Sequence, residues 1–470
     1  LVDALIEKKK YIDAITILET MPEIFKEHPK RYEYLSVCKE AVGNYEEAEI
    51  YADKALKCND KSAISLNVKG LIAYRKGEVE KAEDYFKKAI EIDDSYGEPY
   101  VNIGAMKWSK GNKEEAFDYF IKACILSPTV EDIVMNLYNA GVHLSRLNSV
   151  EGVFRDGISA YPLNRRLRFL LIDVLMQEGK YSDAMEMLED FMLDYGMDEN
   201  TLKIAKSLRD KIGPKEVDKN SKNTISLCMI VKNEEKNVGG CLKKIKSLVD
   251  EMIVVDTGST DMTKDIARAF GAKVYDFKWN NSFSDARNFS IEKASGKWIL
   301  VLDADEAIAP YDFKELKRLV KETGSEIKAY SFVTRNYVQP MNTVGWVAND
   351  GSYLKEEAGT GWYMSEKVRL FPNDKRLRFE RPVHELIEYS AIKHGIAIEK
   401  CDVPIHHYGK LDRSKVTEKG RDYYELGKIK LAEQGEKNLV AVFELAIQAS
   451  ELELHEEAVG HWKKAIELEP

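Results

Sequence analysis

The segment "KWILVLDADEAI", Lys297–Ile308, runs an apolar stretch into three acids, Asp303, Asp305 and Glu306. Carboxylates this close repel unless a cation or a set of donors joins them. A hard divalent cation is one such partner, since it takes oxygen ligands and bridges phosphate oxygens. Other groups suited to the same chemistry lie elsewhere. Asp256 ends the run "MIVVD", Arg287 stands in "FSDARN", and "VPIHHYG" carries His406 and His407. A guanidinium is a planar fork that matches phosphate. Adjacent histidines on an extended chain point to opposite sides, so at most one faces a common site. Together these groups offer carboxylates, a guanidinium and an imidazole, side chains that can hold a cation, match phosphate and move a proton.

The elements that must position them are strands. "ISLCMIV" (225–231), "MIVVD" (252–256), "AKVYDF" (272–277) and "WILVLD" (298–303) read as strands. Helical patterns at 237–249, 261–270 and 284–295 separate them. Strand–helix–strand units of this length predict a parallel sheet with helices on both faces. Ligands of such sheets bind at the strands' carboxyl ends. Those ends read "KNEE", "DTGSTD" and "DADE", which adds Val231 and Glu234 to the candidates. Further strands are expected at 330–338 and 367–374. Asp261 suits a helix N-cap, and Glu306 is expected to lead the helix that follows it. The Gly-rich stretch 349–366, flanked by Trp346 and Trp362, reads equally as an acceptor lid or as an unstructured insertion. Neither G-x-G-x-x-G nor G-x-x-x-x-G-K-[ST] occurs, so dinucleotide and P-loop chemistry find no support.

The N-terminal half has a different signal. "GNYEEAEIYADKAL", "GEVEKAEDYFKKAI" and "GNKEEAFDYFIKAC" begin at Gly43, Gly77 and Gly111, and 77−43 and 111−77 both equal 34. Gly179 keeps the phase two periods on, and Ser145 with Val150 fill a degenerate copy between. This period, with its Gly and Ala positions, resembles the tetratricopeptide repeat. Asn67, Asn102 and Asn136 recur at nearly the same phase and could pair with a peptide on a concave face. The signature returns at the C-terminal end, where Ala458 and Ala465 match Ala48 and Ala55.

"CMIVKNEE", "VVDTGSTDMT", "FSDARN" and "ILVLDADE", in that order, resemble the inverting glycosyltransferases of family 2, which have the GT-A fold. With the repeats, the chain is similar to bacterial protein or peptide glycosyltransferases of the flagellin- or bacteriocin-modifying type. The resemblance implies an α/β GT-A domain beside an all-α tetratricopeptide-repeat superhelix. The expected division is repeats at 1–210, a linker at 211–223, the transferase at 224–410 and a helical repeat at 411–470. It further implies metal-dependent transfer of a sugar from a nucleotide diphosphate sugar, a UDP-sugar by preference, to a protein or peptide recruited by the repeats. Val231, Glu234, Asp256, Arg287 and Asp303 would then bind the donor. Asp305 and His407 would hold Mn²⁺ or Mg²⁺, and Glu385 would be the base, with His384 beside it. The alternative is an interaction scaffold with an inactive transferase domain, against which the intact D-x-D, Asp256, Arg287 and His407 stand.

The totals set outer bounds. The chain has 470 residues, 44% of them hydrophobic and 32% charged, as expected of a folded protein of several domains. A net charge of -10 argues against binding long nucleic acids. No apolar run is long enough to span a bilayer. The six cysteines are scattered without a C-x-x-C pair, which fits reduced thiols and a cytoplasmic setting.

Overall fold

Small residues at the tightest point of each repeat let the N-terminal helices pair closely. Ala48, Ala82 and Ala116 are fully buried, on helices Tyr45–Cys58, Val79–Ile92 and Lys113–Leu126. Each follows an antiparallel partner: Pro29–Ala41, Ala63–Arg75 or Gly97–Ser109. The turns between partners hold Gly43, Gly77 and Gly111 at φ of +82°, +80° and +87°, where a side chain is strained. In the degenerate copy Val150 fills the alanine slot and is fully buried. Gly141 across from it makes room, since a Cβ there would lie 2.3 Å from Val150 Cγ2. Successive pairs share cores: Ala73, Ala82 and Phe86 pack with Ile103 and Met106 of the next pair.

The computed structural model describes residues 1–22, 28–214, 216–218, 220–322, 327–339, 345–383, 385–411, 420–421, 424–425, 427–429, 431–432 and 438–468. They form two units, Leu1–Phe191 and Met192–Pro470. The division falls earlier than the expected end of the repeats at 210. Helix Glu199–Ile212 belongs to the second unit for a physical reason. Arg209 on it donates from Nε to the Ala269 carbonyl at 2.9 Å and covers Gly271.

The second unit is built on a mixed sheet. Its strands are β1 (Ile225–Val231), β2 (Glu251–Asp256), β3 (Lys273–Asp276), β4 (Trp298–Val301), β5 (Glu306–Ala307), β6 (Lys328–Val338), β7 (Val347–Ala348), β8 (Gly361–Pro372) and β9 (Ala397–His407). The order is β3-β2-β1-β4-β8-β6-β9-β5, with β7 beside β8. β3, β2, β1 and β4 run parallel. Helices Val238–Ile245, Thr263–Ala269 and Phe283–Lys293 connect them in turn. Strand order therefore reverses between β1 and β4, which opens a crevice at their carboxyl ends. Apolar side chains of one sheet face, among them Cys228, Ile253, Val255, Ile299, Val301 and Phe371, form the core with Ile291 of helix Phe283–Lys293. Beyond the sheet, helices Leu439–Glu451 and His455–Leu468 form a hairpin with Ala458 and Ala465 buried.

Two expectations change. Residues 361–366 of the Gly-rich stretch extend β8, and 349–360 is pinned in place. Tyr353 Oη donates to Asp312 at 3.2 Å, and Tyr408 Oη to the Glu356 carbonyl at 3.0 Å. The Arg335 guanidinium lies 4.8 Å from both the Tyr353 and the Trp362 rings. The asparagine series also has a different use. Asn67 is buried and accepts from Asn102 Nδ2 at 2.8 Å, while Asn136 donates to the Asp132 carbonyl of its own helix at 2.8 Å. These amides bind the repeats to each other or cap their own turns.

Candidate active site

Register sets the first part of the site. Val231 and Asp256 are direct partners across β1 and β2, so both reach the same sheet edge. The Val231 carbonyl accepts from the Thr257 N–H at 3.0 Å and from Thr257 Oγ1 at 3.1 Å. Asp256 Oδ2 accepts the N–H groups of Gly258 and Ser259 at 3.1 and 3.0 Å, which folds the "DTGS" turn around the carboxylate. Its Oδ1 is buried without a hydrogen-bond partner. A buried acceptor left unmatched is costly, so this oxygen awaits a donor. Glu234 lies in the loop after β1, 5% exposed, and accepts from Asn237 Nδ2 at 2.7 Å. Its own N–H donates to Thr263 Oγ1 at 2.8 Å. Asp261 ties the same loops, accepting from the Glu235 N–H and from Thr263; Met262 occupies the N-cap position without a side-chain cap bond, and Asp261 Oδ1 takes the Thr263 N–H of the first turn at 3.0 Å.

The crowded acids find separate partners. Arg287 Nη2 donates to Asp303 at 2.9 Å and its Nε donates to Glu385 at 2.8 Å. Its Nη1 is buried without a partner. Burial favours the neutral Asp303, but Arg287, with Arg369 and Lys367 behind it, outweighs this and holds its pKa well below the usual carboxylate range. Glu306 takes a different course from the helix-leading role expected of it. It lies in β5, 3% exposed, and pairs with Arg369 Nη2 at 2.7 Å. Its other oxygen accepts the Asp303 N–H at 2.9 Å, so the Glu306–Arg369 pair braces the "DADE" turn. Burial pushes the Glu306 pKa up, against the pull of Arg369.

Asp305 meets His407 because β5 runs antiparallel to β9, with Glu306 opposite His407. His407 Nε2 lies 3.5 Å from Asp305 Oδ2. Its Nδ1 lies 2.8 Å from Asn336 Oδ1. The Asn336 amide nitrogen donates to the Thr334 and Tyr363 carbonyls at 3.3 and 3.1 Å. Carbonyls only accept, so Oδ1 must face the ring and His407 carries its proton on Nδ1. Nε2 is thereby turned to Asp305. Burial works against protonating His407, but Asp305 outweighs it and raises the pKa. Gly409 completes the niche: a Cβ there would lie 2.3 Å from Asp305 Oδ2 and 2.7 Å from His407 Nε2. His406 turns the other way, with Nδ1 2.8 Å from Tyr337 Oη. An oxygen and an imidazole nitrogen beside a backbone kept bare suit a divalent cation. Among the described residues no three His, Cys, Asp or Glu side chains form a complete cage. Phosphate oxygens and water would have to fill the remaining positions.

The structure thus brings Arg287, Asp303 and Glu385 into one group and Asp305 and His407 into another, one residue apart at Asp303 and Asp305. His384 lies outside the described residues. Asp285 accepts from Asn280 and its N–H meets the Ser282 cap, so it starts the helix. Sequence reasoning passed over Asn336, Arg369 and Asn288. Asn336 and Arg369 lie on strands that carry several other polar residues, so nothing local singles them out; for Asn288 the signal was its place inside "FSDARN".

The parallel half-sheet carries acids at its strand ends, β8 extends it antiparallel to β4 and β6, and β9, parallel to β6 and antiparallel to β5, places His407 beside Asp305. Residues 226–379 match the family described as Glycosyl transferase family 2. Residues 39–96 and 97–129 match Tetratricopeptide repeat families. The chain carries a family 2 glycosyltransferase domain joined to tetratricopeptide repeats. It is 38% identical over 169 residues to a TPR repeat-containing protein of Synechococcus elongatus, covering 36% of each chain. It is 33% identical over 171 residues to the SPbeta prophage-derived glycosyltransferase SunS of Bacillus subtilis, again covering 36% of each. An uncharacterized glycosyltransferase of Rickettsia typhi is 38% identical over 85 residues, 18% of this chain and 29% of that one. The matches span about a third of the length of these curated relatives. No helix among the described residues is long and apolar enough to cross a membrane.

Proposed function

We propose that the second unit transfers a sugar, with inversion, from a nucleoside diphosphate sugar to a protein or peptide, and that the repeats bring that acceptor. The observation that carries the reading is the convergence of Asp256, Asp303, Asp305 and His407 on the sheet edge where strand order reverses. The open Asp256 Oδ1 suits an N–H of the base or a ribose hydroxyl, with Val231 and Glu234 shaping the wall beside it. UDP is the preferred nucleotide. Asp303, steadied by Arg287, stands toward the ribose. Asp305 and His407 Nε2 would hold Mn²⁺ or Mg²⁺. When bound, that ion neutralises the departing diphosphate. Arg287 adds positive charge to the same region. Glu385, held by Arg287 through one oxygen, takes the acceptor proton with the other. Repeats linked to the domain raise the acceptor's effective concentration there.

The test is a thermal-shift panel of sugar nucleotides with and without Mn²⁺, followed by turnover with the donor it selects. Binding of one donor raises the melting temperature by mass action, more strongly with Mn²⁺, and Asp305→Ala abolishes turnover. Full turnover by Asp305→Ala, or no stabilisation by any sugar nucleotide, refutes the reading.

A further inference from the structure

Glu385 sits in a short loop under strain. Glu380 and Leu386 close it with two backbone hydrogen bonds of 3.1 and 3.3 Å. Arg381 inside it has φ +74°, a region costly for any residue with a side chain. Its guanidinium lies 4.1 Å from the Tyr389 ring, which helps hold that conformation. A loop of this kind keeps one geometry only if its surroundings impose it.

One helix supplies the constraint. Phe283–Lys293 is anchored by Ile291 in the core and by Cys228 Sγ on the Ser290 carbonyl at 3.5 Å. From this base it grips the loop at three points. The Phe283 N–H donates to the Pro382 carbonyl at 2.8 Å. Arg287 Nε donates to Glu385 at 2.8 Å. Asn288 bonds the Phe379 backbone in both directions, its Nδ2 donating to the carbonyl and its Oδ1 accepting the N–H, each at 2.9 Å. The carboxamide therefore stands in for a neighbouring peptide strand. Asp lacks the donor and Leu lacks both groups. Phe379 directly precedes the Glu380–Leu386 closure, so a shift there carries Glu385 away from Arg287.

We propose that Asn288 is a positioning residue for Glu385, setting its carboxylate through the Phe379 backbone. The inference rests on the sugar-transfer reading above. Full-length Asn288→Asp and Asn288→Leu are compared with wild type, using the donor selected by thermal shift. Both lower kcat at least tenfold while the donor KM stays within twofold. In a Glu385→Gln background Asn288→Asp changes the residual rate less than twofold, because the two act as one unit. Undiminished, multiplicative effects in that background overturn the proposal, as does a loss confined to KM. Hydrogen exchange supplies a readout independent of activity. The Glu380 and Leu386 amides exchange at least tenfold faster in Asn288→Leu, while β1 and β2 are unchanged; unaltered exchange at both amides overturns the clamp. A wild type that turns over no sugar nucleotide sinks the transfer reading, and the exchange result still decides the clamp.

Discussion

Replacing Arg287 with Met removes the one guanidinium that joins Asp303 to Glu385. The methionine keeps most of the aliphatic volume, so the loss is chiefly electrostatic. The Arg287 and Glu385 side chains are 10% and 12% exposed, and Asp303 is 36% exposed. Breaking a buried pair by removing one partner costs about 3–5 kcal/mol, because a charge is left uncompensated. Solvent reaches Asp303 and screens its share, so the lower end, about 3 kcal/mol, is expected at neutral pH. For a unit of this size that lowers the melting temperature by roughly 6–12 °C. The sign of the pH dependence follows from Asp303, whose pKa is depressed in the fold. Such a group stabilises above its unfolded pKa of about 3.9, and that stability is lost as pH falls toward the depressed folded value. In Arg287→Met the unpaired Asp303 protonates more readily, so the deficit against wild type shrinks below about pH 5. Adding Glu385→Gln to Arg287→Met recovers part of the loss. The assay is differential scanning fluorimetry of wild type and both variants from pH 7 to pH 4. A single variant within about 1 °C of wild type at pH 7, or a deficit that does not change with pH, refutes the reasoning.

Glu251, at the amino end of β2, tests stability apart from the site. Burial raises its pKa, but donors from Ser226, Ser295 and Lys273 outweigh that and hold it at about 2. The gap from the ordinary 4.5 corresponds to about 3 kcal/mol at neutral pH, lost as pH falls from about 4.5 toward 2. Glu251→Gln should lose up to that amount in urea denaturation at pH 7 without altering the affinity for the sugar nucleotide; equal stability at pH 7 counts against the network. Gly409→Ala places a methyl against Asp305 and His407 Nε2, so calorimetric titration should show Mn²⁺ affinity falling at least tenfold; unchanged affinity separates this niche from the metal.

Much of the architecture was legible in local pattern. The 34-residue step, the glycines and the buried alanines mark the repeats, because every helix pair meets the same packing problem. Apolar runs mark β1 to β4 within a residue or two: β1, β2 and β4 are buried on both faces and apolar almost throughout, while β3 is a half-exposed edge strand with a short apolar centre. Their polar ends mark the crevice. Pattern failed where a local feature has two physical uses. Glu306 looks like a helix-leading acid, and its place in β5 and its pairing with Arg369 are contacts that no nearby residue announces.

By itself, then, the sequence determined the classes of element and which strand ends carry acids, because periodicity and strand-end polarity are properties of neighbours along the chain. Only the tertiary structure decided which partner each acid has. Arg287 reaches Glu385 across 98 positions, Arg369 reaches Glu306 across 63, and Asn336 reaches His407 across 71. A buried charge selects its counter-charge by distance in space, and antiparallel β9 brings that distance to 3.5 Å for Asp305 and His407.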